Sequence, residues 1–323
     1  ALMQPARTYL QIVGGFCILN ALIPICSSYL RAFGFSKEPL YASIIGNVIN
    51  FCLNAFFLFV LHKGVAGVAT ATVVSRIINL VIVVLLGAVL VKAKKHPERE
   101  SNREVMGQII RIGLPSACET AIYNVSMTLV IRFLNQMDAQ GLNVTARSYT
   151  MQITNFSYCV GAALAQANAI MTGWRIGAKE YDACDRGTRK AAIIGVIVAV
   201  ILETMFALCS GWIMQLFSKD PQMVSLVGKL LAIDIVLEMG RVTNLVYGQA
   251  LKTSGDAVFP VVMGACFMIL CSVGGTYLFG IRLGLLAVGA YIGMAGDECV
   301  RAIGMYLRWK SGKWKEKGLV KSR

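Results

Sequence analysis

Two segments of this chain, residues 9–80 and residues 230–300, resemble each other as degenerate copies of one sequence. Within them, residues 30–34 align with residues 251–255 at an offset of 221. Both copies lie in strongly apolar sequence of helix length. Internal duplication of apolar, helix-length sequence is typical of polytopic membrane proteins. We therefore predict a membrane protein built by duplication.

The repeat also predicts how the chain is divided. The second copy is preceded by further apolar sequence that opens at Gly113, and at the same offset its counterpart would lie before residue 1. We therefore expect the chain to lack the opening part of its first half. The polar stretch 92–104 is the main break in composition. The predicted parts are a truncated first lobe (1–92), an inter-lobe loop (93–107), a complete second lobe (108–308) and a basic tail (309–323).

Composition supports the membrane prediction independently of the repeat. The chain is 56% hydrophobic and only 15% charged, with a mean hydropathy of +0.64, well above that of an ordinary soluble domain. A helix needs about 20 apolar residues to cross the hydrocarbon core, and sustained alternation, which a membrane barrel would need, is missing. We predict an all-α polytopic transmembrane bundle with nine spans, an odd count for a duplicated architecture, which points to three further spans missing at the front. The nine are 8–33, 40–62, 65–92, 108–135, 142–173, 190–217, 223–251, 258–281 and 284–308.

The formal net charge of +14 could indicate nucleic-acid binding, but its distribution does not. With alternate loops assigned to alternate sides, most lysines and arginines fall on one side, which includes the 93–107 loop and the C-terminal tail. The opposite loops carry only Arg7, Lys63, Lys219 and Arg282. This asymmetry follows the positive-inside rule. We predict a cytoplasmic C-terminus, a lipid bilayer as the environment and no nucleic-acid partner.

Cysteine and histidine usage argues against an enzyme. The ten cysteines form no CxxC motif, and all but Cys184 lie in candidate spans, where they are small apolar residues. The two histidines, His62 and His96, lie at a span end and in a loop, so neither a histidine-based metal site nor a catalytic triad is predicted. We expect no cofactor, no resident metal and no catalysis. The function must therefore depend on polar groups within the spans.

The seventh span, 223–251, carries the densest set of such groups. Asp234, Glu238 and Arg241 are spaced four and three residues apart, which places them on one helical face. One interpretation is an ion pair between Glu238 and Arg241 that fixes helix packing. The other is a cation-coupling cluster in which Arg241 is the counter-charge. We favour the second interpretation, because two carboxylates share one arginine and one of them stays available to a proton or a sodium ion.

Four further acidic residues lie within spans: Glu119, Glu203, and the adjacent Asp297 and Glu298 of the last span. Glu119 has no charge partner close by in sequence, so it is either a proton carrier or a permanently protonated, hydrogen-bonded side chain. Glu203 has the same two interpretations. Asp297 and Arg301 are four residues apart, and we predict that they form a structural ion pair within the last span.

Amide side chains form two polar stripes. Asn47, Asn50 and Asn54 share one face of the second span, and Gln152 and Asn155 form a smaller stripe in the fifth span. Amides on a membrane helix either form hydrogen bonds between helices or line a polar cavity. Both interpretations stay open, and all five residues are candidates for a substrate cavity.

Several short motifs, taken together, carry a family resemblance. They are residues 113–116 with Glu119, the loop 173–179, the turn 251–260, and residues 297–301 followed by 311–314. In this order the chain resembles the bacterial branch of the multidrug and toxic compound extrusion (MATE) family. The similarity covers essentially the whole chain. It implies that the chain corresponds to helices four to twelve of a twelve-helix protein, without the first three helices.

The resemblance implies two six-helix lobes around a central cavity, in a monomer of the bacterial inner membrane. It implies alternating-access export of cationic or amphiphilic compounds in exchange for sodium ions or protons. It places Asn50 at an amide near the first-lobe ion site and Glu119 at an acid that recurs in one bacterial subgroup. The family's other second-lobe acid falls near Arg241, with Glu238 one turn away. On this basis we predict coupling by Glu119 and Glu238, with Asp234 in support.

Two alternatives to an exporter stay open. A lipid or polysaccharide-precursor flippase of the same superfamily would need a cavity rich in arginine and lysine, whereas Arg76, Arg132, Arg147 and Arg241 are mixed with several acids in these spans. The other alternative is an inactive transporter fragment, because a second lobe without a complete first lobe has no closed pathway.

Overall fold

The computed structural model describes residues 3–91, 102–138 and 141–317, which form helices joined by short turns, with no strand among them. This confirms the all-α prediction. Residues 93–101 of the predicted inter-lobe loop and residues 318–323 of the predicted tail lie outside the described residues. The chain divides into two compact units, residues 1–99 (unit 1) and residues 100–323 (unit 2).

Unit 1 consists of α1 (Met3–Gly15), α2 (Leu19–Ala32), α3 (Lys37–Ala55) and α4 (Gly64–Leu90). The axes of α1 and α2 differ by 41°, and α3 continues as a π-helical turn over Phe56–Val60. Leu30, Ala42 and Val83, one from each of α2, α3 and α4, are buried together in its core.

Unit 2 contains seven α-helices within its described residues. They are α5 (Asn102–Met137), α6 (Leu142–Gly177), α7 (Tyr181–Leu208), α8 (Ser210–Met214), α9 (Pro221–Thr253), α10 (Val258–Phe267) and α11 (Leu286–Lys310). The helix α10 continues through π-helical turns at Met268–Val273 and Thr276–Arg282, and a short 3-10 turn at Lys313–Lys317 follows α11.

The helix α9 lies at the centre of unit 2, where it packs against α6, α7 and α11. It begins where Asp220 accepts a hydrogen bond from the amide of Gln222, with Pro221 at the first helical position. Leu230, Leu231 and many other residues of α9 are buried. The acidic residues of its buried faces are therefore carried into the interior of the unit.

Each of the nine predicted spans coincides with a helix or with consecutive helices, apart from a few residues at the ends of some spans. By length and hydropathy, four helical segments of the described part of the chain could cross a membrane, and a fifth could if α1 and α2 act as one span. The four are Lys37–Val60, Gly64–Leu90, Tyr181–Leu208 and Val258–Arg282. The helices α5, α6, α9 and α11 are long enough but more polar. The count of nine spans stays a prediction.

The two copies of the repeat end a helix in the same way. After α2, Gly34 has a φ of 91°, and the amide of the next residue donates to the carbonyl of Leu30 at 3.0 Å. After α9, Gly255 has a φ of 92°, and the amide of the next residue donates to the carbonyl of Leu251 at 2.9 Å. A left-handed residue at this point favours glycine. The sequence offset of 221 therefore corresponds to a repeated helix-ending turn.

At the end of unit 2 that carries the last turn of α11, one buried acid forms ion pairs with two basic residues. The carboxylate of Asp256 is fully buried and pairs with Nε of Arg308 and with Nζ of Lys317, each at 2.7 Å. Beside this cluster, the rings of Trp309 and Trp314 stack with centroids 4.2 Å apart. We call Asp256, Arg308 and Lys317 the C-terminal latch, since they join the α9–α10 turn to the last helical turns.

We expect the stability supplied by this latch to be lost in acid. Burial raises the pKa of Asp256, but hydrogen bonds and positive charges from Arg308 and Lys317 outweigh burial and hold the pKa below its ordinary value of 3.8. Because the folded pKa is the lower one, the contribution is complete above about pH 5 and disappears as the pH falls through the folded value. The thermal unfolding midpoint, followed by circular dichroism in detergent, should fall more steeply from about pH 5 to about pH 3 in the wild type than in Asp256→Asn.

The matched control is Asp182→Asn, which changes an exposed acid in the first turn of α7. This variant should keep the steep pH dependence of the wild type. Parallel pH profiles for the wild type and Asp256→Asn would contradict the role given to the latch.

Candidate functional site

Unit 2 contains a cavity of about 470 Å³ lined by residues of α5, α6, α9, the α10 segment and α11. Part of its wall consists of aromatic and flexible apolar side chains: Tyr123, Tyr158, Met127, Met151, Met268, Met294 and Met305. The volume is within the range of small-molecule sites, about 300–1,000 Å³. Methionine is unbranched and polarizable, so such a wall can adapt to apolar ligands of different shapes.

Charged side chains line the same cavity, and most of them are paired. Glu119 of α5 pairs with Nζ of Lys252, near the end of α9, at 2.6 Å. Glu119 therefore has a charge partner that is not close by in sequence, since Lys252 lies 133 residues away. A pairing this distant is set by the packing of α5 near α9 and has no signature in local spacing.

A second set of charges joins α9 to α11. Arg301 lies 2.9 Å from both Asp297 and Glu298, and Glu298 lies 3.6 Å from Arg241. Arg241 in turn pairs with Glu238 at 2.7 Å. We call these five residues the ion-pair network. The charged cluster of the seventh span and the pair of the ninth span, which were considered separately in the sequence, thus form one site.

Asp234 is placed differently from the acids of the network. It lines the cavity, it is 2% exposed, and its Oδ2 atom has no hydrogen-bond partner among the described residues. No described lysine or arginine lies within ion-pair distance of it. Glu238, one turn later, is fully buried behind the wall, and only its Oε1 atom is unpartnered within the described part of the chain. Asp234 is therefore a cavity-lining acid with a buried, unpartnered acceptor atom.

Glu203 lies on α7, away from the cavity wall. It is fully buried, and neither of its carboxylate oxygens has a hydrogen-bond partner in the described ranges. Asp234 and Glu238 are near enough to interact with it electrostatically. Both interpretations of Glu203 given above stay predictions.

The amide stripe of the second span belongs to unit 1. Nδ2 of Asn50 on α3 donates to Oγ of Ser75 on α4 at 3.1 Å, and Nδ2 of Asn54 donates to Oδ1 of Asn50 at 3.1 Å. Asn47 is exposed on α3. Within unit 1, Asn50 thus makes the kind of interhelical hydrogen bond that one of the two interpretations required.

The smaller amide stripe divides between the cavity and the surface of unit 2. Asn155 lines the cavity, whereas Gln152 is exposed on α6 and is not part of its wall. The sequence did not single out Arg147, which also lines the cavity, as a site residue. No sequence pattern near Arg147 distinguishes it from the other arginines within the predicted spans.

Comparison with known proteins agrees with this architecture. A family model described as MatE matches residues 115–278. The chain is 34% identical to the uncharacterized transporter YisQ of Bacillus subtilis over 99% of this chain and 71% of that protein. It is 23% identical to the probable multidrug resistance protein NorM of Thermotoga maritima, over 98% of this chain and 68% of that protein.

Solved structures show the same fold. A crystal structure of MATE in complex with MaL6 superposes with a TM-score of 0.85 at 18% identity, covering 96% of this chain and 70% of that one. The family model and these relatives describe membrane transporters and not enzymes, and the chain belongs to this class of protein. More specifically, the chain belongs to the multidrug and toxic compound extrusion (MATE) family.

Proposed function

We propose that this protein exports cationic or amphiphilic small molecules across the bacterial cytoplasmic membrane in exchange for protons or sodium ions. The observation that carries the proposal is the unit 2 cavity, which combines an adaptable apolar wall with an unpaired carboxylate. Relatives support it. NorM of T. maritima and YoeA of Bacillus subtilis are both named as probable multidrug resistance proteins.

The wall of the cavity suits flat, positively charged compounds. The ring of Tyr158 already lies 5.9 Å from the guanidinium carbon of Arg241. A cation near an aromatic face is stabilised by about 0.5–2 kcal/mol, depending on how far water is excluded. The tyrosines would hold the charged part of a drug by this interaction, while the methionines adapt to its apolar part.

In this proposal Asp234 is the group that exchanges the coupling cation. Glu119 and Glu238 each have a positive partner, Lys252 and Arg241, and these pairings favour Asp234 as the acid of the cavity wall that most needs a cation. A buried ionised carboxylate without a partner is costly, so binding a proton or sodium ion there is favourable. Glu119 and Glu238 then support Asp234, and Arg241 is the counter-charge.

Coupling also needs a change of state. A bound cation can shift a transporter between two conformations only if it binds one of them more tightly. Neutralising Asp234 would alter its repulsion with Glu238 and Glu298 and thereby change how α9 and α11 pack. We propose that this change is part of an alternating-access cycle.

Membership of the family also supports proposals about the lobes, the membrane topology and the oligomeric state of this protein. We propose that residues 1–92 and 108–308 belong to the two lobes, and that the 93–107 loop and the C-terminus face the cytoplasm. We also propose that the protein works as a monomer. The flippase alternative is not favoured, since the cations of the unit 2 cavity are mostly paired with acids.

The test is ethidium efflux from bacterial cells that lack their own drug pumps and express this 323-residue chain. Insertion into the membrane fraction is verified first, and cells with an empty vector give the baseline. Efflux should exceed the baseline and collapse when an ionophore dissipates the proton or the sodium gradient. Inserted protein that gives no gradient-dependent efflux would overturn the proposal.

A further inference from the structure

Arg147 is a buried arginine on α6 that lines the unit 2 cavity. It is 8% exposed, and its Nη2 atom lies 3.7 Å from the sulfur of Met127. Its Nε atom has no hydrogen-bond partner among the described residues.

The other cations of the cavity are in a different situation. Lys252, Arg241 and Arg301 each have a carboxylate oxygen within 2.9 Å. Arg147 forms no ion pair with any acid in the described part of the chain. The cost of burying an unpaired charge is large, and an anion that enters the cavity would offset it. The planar guanidinium also matches the geometry of a carboxylate.

The unpaired base and the unpaired acid lie in one cavity. Asp234 and Arg147 both line it, and both act electrostatically on Tyr291 of α11. Tyr291 is itself 2% exposed and belongs to the core of unit 2. The cavity therefore offers a ligand one positive and one negative group that the protein leaves without an ion-pair partner.

We propose that Arg147 is an anion-binding subsite of the cavity, and that the exported compounds include zwitterionic amphiphiles. The acidic group of the compound binds Arg147, and its cationic part lies toward Asp234, where it competes with the coupling cation. This inference rests on the proposed export function and names the substrate class for it.

Two dyes that differ only at one acid test this inference. Rhodamine 110 carries a benzoic acid, and rhodamine 123 is its methyl ester, so the second dye keeps the cation and loses the anion. We expect the purified chain in detergent to bind rhodamine 110 about tenfold more tightly, measured by fluorescence anisotropy. A hydrogen bond to a charged group contributes at least about 1.4 kcal/mol to binding, which corresponds to about tenfold in affinity.

Variants at Arg147 assign the difference to this side chain. Arg147→Met should weaken rhodamine 110 binding about tenfold and leave rhodamine 123 binding nearly unchanged, while Arg147→Lys should retain part of the preference. The matched control is Arg132→Met, which removes an exposed arginine of α5 that is not part of the cavity wall. It should behave as the wild type.

The comparison of the two dyes on the wild type needs no variant, so it stands even if Arg147→Met does not fold. Equal affinity for the acid and the ester would overturn the inference and leave the export proposal intact. Equal losses for both dyes in a folded Arg147→Met would also overturn it. A wild type that binds neither dye and exports no ethidium would overturn the export proposal as well.

Discussion

Arg301→Met is expected to destabilise unit 2 by about 3–5 kcal/mol, because it removes the base from a buried group of charges. The guanidinium lies 2.9 Å from Asp297 and 2.9 Å from Glu298, and its side chain is 5% exposed. Methionine keeps most of the side-chain length but leaves both carboxylates without this partner. The free energy of unfolding, followed by circular dichroism during a graded SDS titration, measures the loss.

The control for this prediction is Arg282→Met. Arg282 is also an arginine of unit 2, but it lies on an exposed turn, where its Nε donates to the hydroxyl of Tyr277. Its replacement should change stability by less than about 1 kcal/mol. The double variant Asp297→Asn with Arg301→Met should recover part of the loss, since one uncompensated charge is gone. A loss from Arg301→Met no greater than that from Arg282→Met would show that the network contributes little to stability.

The helices of this protein could be predicted well, because apolar runs of helix length are a local property. The segment predicted at 65–92 forms a helix over Gly64–Leu90, and the segment predicted at 284–308 forms one over Leu286–Lys310. The bend between α1 and α2 falls at residues 15–19, whereas Pro24 lies within continuous α2. Helix ends depend on the geometry of the turns, so the predicted ends differ from the observed ends by a few residues.

The ion pairs of the site can likewise be predicted from the sequence only when their two residues are close together in the chain. The pair Asp297 and Arg301 is four residues apart, so the helical period alone brings the two together. The pair Glu119 and Lys252 depends on how α5 and α9 are placed in the folded unit, and nothing in one sequence specifies that placement. Arg147 illustrates the limit most clearly. Arg147 matters because it forms no ion pair with any described acid, and the absence of such a pair can be seen only in the folded unit.

Asp234→Asn is expected to abolish the coupling of drug export to the ion gradient. A tenfold cation gradient stores about 1.4 kcal/mol per ion, which supports a drug gradient of about tenfold when one ion is exchanged for one singly charged drug cation. Asparagine is nearly isosteric with the protonated acid but cannot gain or release a cation. The variant should therefore bring ethidium only to equal concentrations on both sides.

Proteoliposomes that contain the purified chain allow this ratio to be measured directly. A proton gradient and a sodium gradient are imposed in separate experiments with the membrane potential held at zero, and the steady-state ethidium ratio is recorded. The wild type should approach a ratio of about ten with one of the two ions, which identifies the coupling ion, and Asp234→Asn should stay near one with both. Asp182→Asn, the same change at an exposed position on α7, should keep the wild-type ratio. If Asp234→Asn also reached the wild-type ratio, coupling would have to depend on another acid. That acid would be Glu203, which is unpartnered among the described residues, or one that already holds a positive partner, such as Glu119 or Glu238, whose ion pair would then have to open during transport.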